Sequence, residues 1–174
     1  MSCYLDEQNG TVEAVLIFKR AALLYDIENY AYIEGHIMEA GNIHQQHTVQ
    51  DVGEEGNVDR ITRVLDLSVA KCREMLYPFI KHEIHRPELD DSLKETPSYG
   101  MVLKVPQGFS QTTLNLLEVL IHEYLVCRSV ADWMSITNPA KAQTWEVKAE
   151  KAESEIRSSL HARRSRVRRR CHPF

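Results

Sequence analysis

No glycine loop shaped to cradle phosphate, no CxxC pair, no HExxH helix and no nucleophile elbow occurs in these 174 residues. The commonest nucleotide, zinc and serine-hydrolase sites therefore have nothing to build on. Cysteine is sparse: Cys3, Cys72, Cys127 and Cys171 lie far apart, and two of them fall on apolar helical stretches where a free thiol behaves as a small hydrophobe. That spacing speaks against a disulfide framework or a zinc site. The amino terminus, MSCYLDEQNG, has neither a basic region nor an apolar core, so a secretory signal is not expected and the chain reads as intracellular at synthesis. Hydrophobic residues make up 43% and charged residues 26%, ordinary for a soluble globular protein, so the composition supports neither global disorder nor a membrane class. A chain of this length buries one sizeable core, and a single helical domain over residues 1–162 is expected.

What is present is an uneven distribution of charge. The net charge is −4, yet seven arginines fall between Arg157 and Arg170 with no acid among them. Setting those aside leaves 14 basic residues against 25 acidic ones, a charge of −11. An acidic body thus ends in a basic tail, residues 163–174, the pattern of an end that engages a polyanion or an acidic partner.

The longest apolar stretch is Thr112 to Ile136, where only Asn115, Glu118, His122, Ser129 and Asp132 form a polar stripe, within about 100° on a helical wheel. Such a helix, about 38 Å long, must be wrapped on several sides. Glu118, His122, Glu123, Arg128 and Asp132 make it too polar to span a membrane. Elsewhere, Thr11 caps a run from Val12 to about Ile33 that reads as one long helix, kinked near Asp26. Gly35 to Gly56 reads as a long connection with little regular structure. Asn57 caps a helix over Val58 to Tyr77, and the charged, proline-containing stretch Lys81 to Ser98 reads as a surface excursion. Tyr99 to Val105 alternates as a strand that must pair with an irregular segment or with another chain. Asn138 and Pro139 open a last helix to about Ala162 with a thin seam of Trp145, Ala149, Ala152, Ile156 and Leu160, folded back on the central helix. The fold class is mainly α: a helical bundle of about four principal helices with a small β element and an extended basic C-terminal tail.

Candidate chemistry is thin. His36, His44 and His47 could gather round a metal, as could His82 and His85 beside Glu83, but each group lacks a defined third or fourth ligand and reads more simply as solvated polar residues. His122, Glu123 and Tyr124 suggest acid–base work, yet adjacent helical residues point to different sides. No catalytic, cofactor or metal role is assigned, and a non-enzymatic protein is expected. For the tail, three readings compete: a nucleic-acid arm, a peptide docking in an acidic groove with Pro173 and Phe174 as an aromatic plug, and a disordered solubilising end.

The stretches LLYDIENYAYIEGHIM, DVGEEGNVDRITRVLDLSVAKCREMLYPF, VLKVPQGFSQTTLNLLEVLIHEYLVCRSVADWMSITNP and RRSRVRRRCHPF resemble small virion-assembly proteins of tailed bacteriophages and prophages, of the head–tail connector or head-completion kind. The resemblance runs from about Leu23 to Phe174. The chain is longer than the smallest such proteins, and the Lys81 to Ser98 excursion has no counterpart in them. The resemblance implies a homo-oligomeric ring between the portal protein and the tail or neighbouring connector proteins, passed by DNA without sequence-specific binding. It would sit in the virion, and in the host cytoplasm during assembly, with no membrane. On this analogy the expected partner contacts are Arg163, Arg164, Arg166, Arg168, Arg169, Arg170, Pro173 and Phe174 in the tail, Met101, Leu103 and Val105 in the strand, and the Gly35 to Gly56 connection. The alternative is a nucleic-acid-binding accessory protein that uses the arginine tail as its arm.

Overall fold

The computed structural model describes residues 7–8, 11–38, 43–77, 79, 97–106 and 109–161. In chain order these form strands β1 (Glu7–Gln8) and β2 (Thr11–Lys19), helices α1 (Arg20–Ile37) and α2 (Ile43–Gln50), and a single 3-10 turn (Asp51–Gly53). Helix α3 (Glu55–Met75), strand β3 (Ser98–Pro106) and helices α4 (Gln111–Thr137) and α5 (Pro139–His161) complete them. The architecture is mainly helical with a small antiparallel sheet, as the sequence leads one to expect. The residues of the basic tail from Arg163 onward, and all of the Lys81 to Ser98 excursion except its last two residues, lie outside the described residues.

Helix α4 is the axis. Fourteen of its residues are buried, including the unbroken run Tyr124–Cys127, because α1, α2, α3, α5 and β2 all pack on it. Its wrapping is uneven: Leu116 and Val119 near its start are exposed, whereas Val130, Ala131, Trp133 and Met134 near its end are buried. Ser129, read as part of a polar stripe, is buried and resolves its hydroxyl by donating to the Leu125 carbonyl at 2.9 Å. Among the described residues no helix is long and apolar enough to cross a membrane. A single residue, Asn138, separates α4 from α5, and the two run back to back with Trp145, Ala149, Ala152, Ile156 and Leu160 buried, the seam that helical spacing selects.

Three expectations are corrected. The first is the long helix over 12–33, whose opening residues to Lys19 are instead part of strand β2. There Val12, Ala14, Leu16 and Phe18 alternate inward, and only from Arg20 does the chain turn helical. The β-branched and aromatic content of VEAVLIF favours a pleated, half-buried surface, and that preference prevails once a partner strand is present. The second concerns that partner. Strand β3 pairs antiparallel with β2, from Thr11↔Pro106 to Lys19↔Ser98, and on its other edge the Lys104 N–H donates to the Phe79 carbonyl at 2.7 Å. The facing pairs Val12/Val105, Ala14/Leu103, Leu16/Met101 and Phe18/Tyr99 are therefore core, while Glu13 and Lys104 on the other face form an ion pair at 3.0 Å. The third is the connection over 35–56, which contains α2 and the 3-10 turn. The Trp133 indole N–H donates to the Val49 carbonyl at 2.9 Å, pinning α2 to α4, and Gly35 lets α1 approach closely, since a Cβ there would stand 2.6 Å from Gln50 Cγ.

Helix α3 begins at Glu55 rather than after Asn57. The Asn57 amide instead donates to the Asp51 carbonyl at 2.7 Å and braces the preceding turn. Arg20, buried at the β2–α1 junction, donates through Nε and Nη2 to Thr62 Oγ1 at 3.2 and 2.8 Å, tying that junction to α3.

Candidate interaction surface

Helix α1 presents three faces with different chemistry. Leu23, Ile27, Ala31 and Gly35 are buried at helical spacing and point to the core. One flank carries Asp26, Tyr30 and Glu34 toward α4 and α5. The remaining face, with Tyr25, Asn29, Tyr32 and His36, is open to solvent.

The flank is a polar seam. Asp26 Oδ2 meets His122 Nε2 at 2.7 Å. One turn on, the Tyr30 ring packs edge-to-face on Trp145, centroids 5.0 Å apart. A further turn brings Glu34, whose side chain is only 12% exposed, to the Trp145 indole N–H at 3.1 Å and to Lys141 Nζ at 3.4 Å. Lys148 Nζ lies 3.6 Å over the Trp145 ring. Beneath the seam, the Cys127 thiol donates to Glu123 Oε1 at 3.5 Å. Burial, reinforced by the Glu123 carboxylate, pushes this thiol up to about 12. Glu123, followed by burial, also holds the Tyr30 phenol above its ordinary range.

This arrangement fastens helices. The Cys127 thiol, five residues beyond His122 on the same helix, is thus held in its protonated form rather than as a thiolate. His122 and Glu123 do diverge, as their adjacency requires: one meets α1, the other Cys127.

The open face differs. Tyr25 is 69% exposed and Tyr32 57% exposed, with Ile33, Ile37 and Ile43 also outward. His36 stacks on Tyr32, ring planes 7° apart. Tyr25, Glu28, Asn29, Tyr32, Gln50 and Gly53 line a shallow groove of about 320 Å³ between α1 and the end of α2. Gln50 forms its wall by donating from Nε2 to the Tyr32 carbonyl at 3.4 Å. The Glu28 carboxylate rests against Gly53, so close that a Cβ there would be 3.2 Å from Oε1.

The expected site residues separate accordingly. Met101, Leu103 and Val105 are 1, 0 and 2% exposed and face the core, so their side chains offer no surface to a partner. Arg163, Arg164, Arg166, Arg168, Arg169, Arg170, Pro173 and Phe174 lie outside the described residues, as do His82, Glu83 and His85. His44 and His47 are exposed on α2, and among the described residues no group of three potential ligands is close enough to hold a metal ion. Part of the open face falls within the Gly35 to Gly56 connection expected to make contacts. Its aromatic half, Tyr25 and Tyr32, was missed. The available signal was the spacing of Tyr25, Tyr32 and His36, which places them on one side of a helix opposite Leu23, Ile27 and Ala31. The chain matches no family model, no curated protein and no solved structure.

Proposed function

We propose that this chain is a non-enzymatic structural assembly protein that works by protein–protein contact, in the manner of a ring-forming head–tail connector of a tailed phage. The observation that carries the reading is the open face of α1. Aromatic and aliphatic side chains follow one another there without cover from the described residues, the composition of a contact surface rather than of a solvated helix. The acidic balance adds support, because the described residues hold 18 Asp and Glu against 12 Lys and Arg. A wall of that sign lets DNA pass without sticking.

The test is the mass and shape of the nuclease-treated full chain, by light scattering and negative-stain electron microscopy. A closed ring of many copies is the expected result. The six arginines from Arg163 to Arg170 favour a second reading, a nucleic-acid-binding accessory protein. A monomer whose DNA affinity falls steeply between about 50 and 200 mM salt, and vanishes when the chain ends at His161, would replace the first reading with the second.

A further inference from the structure

We infer that the groove between α1 and α2 is the seat of this protein's own arginine segment, Arg163–Arg170. The inference is independent of any role in a virion. It starts from Glu28. Among the described residues its carboxylate has neither a hydrogen bond nor an ion pair, although it lies in a groove walled by Tyr25 and Tyr32. The other two acids of the same helix are paired, Asp26 with His122 and Glu34 with Lys141.

An unpaired carboxylate between two exposed phenol rings is a receptor for guanidinium. Arginine stacks its planar head on an aromatic face while its N–H fork meets a carboxylate, a combination that lysine cannot reproduce. Geometry agrees with the chemistry. Tyr25 and Tyr32 are seven residues apart on α1, about 10.5 Å along the helix. Arg163, Arg166 and Arg169 recur every third residue, a spacing of about 10 Å in any extended chain. Charge agrees as well, for the segment carries +6 and the described residues −6. The segment begins two residues beyond the end of α5, and an extended stretch from His161 to Arg170 spans about 30 Å.

Cys171 follows the segment directly and serves as a reporter. The full chain is prepared with Cys3→Ser and Asn29→Cys, nuclease-treated and oxidised with diamide, leaving the buried Cys72 and Cys127 in place. A disulfide between position 29 and Cys171, identified by peptide mass spectrometry, is expected about tenfold faster than in the counterpart carrying Glu150→Cys on the solvated face of α5, as proximity requires. Adding Glu28→Lys or Tyr32→Ser, or raising salt to about 1 M, brings the rate down to that of the counterpart. Monomer-sized or dimer-sized products both support the inference, since the occupant is the same segment. Equal rates at positions 29 and 150, or a rate indifferent to Glu28→Lys while circular dichroism shows the fold intact, would overturn it. Disulfide at position 29 that appears only when a DNA oligonucleotide is added would overturn it too, because the segment would then be held by nucleic acid.

Discussion

The flank and the open face of α1 belong to one helix and share its composition of tyrosines and carboxylates, yet they do opposite things. On the flank, Tyr30 finds Trp145, and Asp26 and Glu34 find His122 and Lys141. On the open face, no helix among the described residues covers Tyr25 or Tyr32, and Glu28 has no counter-charge among those residues. Residue type alone does not separate a structural aromatic from an interaction aromatic. What separates them is whether another element of the chain arrives at that face, and α4 and α5 arrive at only one.

The comparison can be broken from the inside outward. The largest effect belongs to the axis on which the flank rests. Leu125 is fully buried in α4, and Leu125→Ala leaves a cavity in the core, with an expected loss of about 2–5 kcal/mol in urea unfolding.

Alkaline unfolding comes next. Cys72 and Cys127 are held neutral, pushed from 9.0 up to about 12 by burial first and then by nearby glutamates, and Tyr124 is pushed from 10.0 up to about 12, again chiefly by burial. The folded state therefore keeps protons that the unfolded chain gives up. Any stability tied to these groups is fully present below pH 9 and is lost between about pH 9 and 12. Thermal midpoints should fall through that window, and Cys72→Ala should flatten the slope. An unchanged slope in that variant would remove Cys72 from the account.

Gly35→Ala is expected to cost about 1–3 kcal/mol, because its Cβ would press on Gln50 and Gln46 and force α2 from α1. The groove, whose far wall is Gln50, should widen with it. The smallest effect on stability belongs to the open face. Tyr25→Ser with Tyr32→Ser is expected to change unfolding free energy by no more than about 0.5 kcal/mol for each surface site, while reducing self-association measured by sedimentation velocity. A large loss of stability in that pair would show the face to be packed after all, and the contrast with the flank would disappear.

Much of this architecture was legible in the residues. The α5 seam of Trp145, Ala149, Ala152, Ile156 and Leu160, the hairpin at Asn138 and the many-sided burial of α4 follow from periodicity and capping, which are local properties. The strand β2 was not legible as such. Leu16, Leu23, Ile27 and Tyr30 satisfy a helical period, while Val12, Ala14, Leu16 and Phe18 satisfy a strand period, so the same run supports both. Helix α2 was hidden by its polar composition and by the glycines on either side of it. Half of the candidate surface was hidden for a related reason: an exposed Tyr25 and a buried Tyr30 look alike until their neighbours are in place.

The sequence by itself determined where the long helices of the second half begin and end, which of their faces are apolar, and that an acidic body is joined to an arginine-rich end. These depend on interactions within three or four residues. Only the tertiary structure decided that Thr11–Lys19 is a strand, because its backbone partners lie at Ser98–Pro106, far along the chain. It alone decided that Asp26 reaches His122 across 96 residues, and that no other described helix covers the face of Tyr25, Glu28 and Tyr32. Backbone pairing and burial depend on which distant segment arrives, and no local period records that.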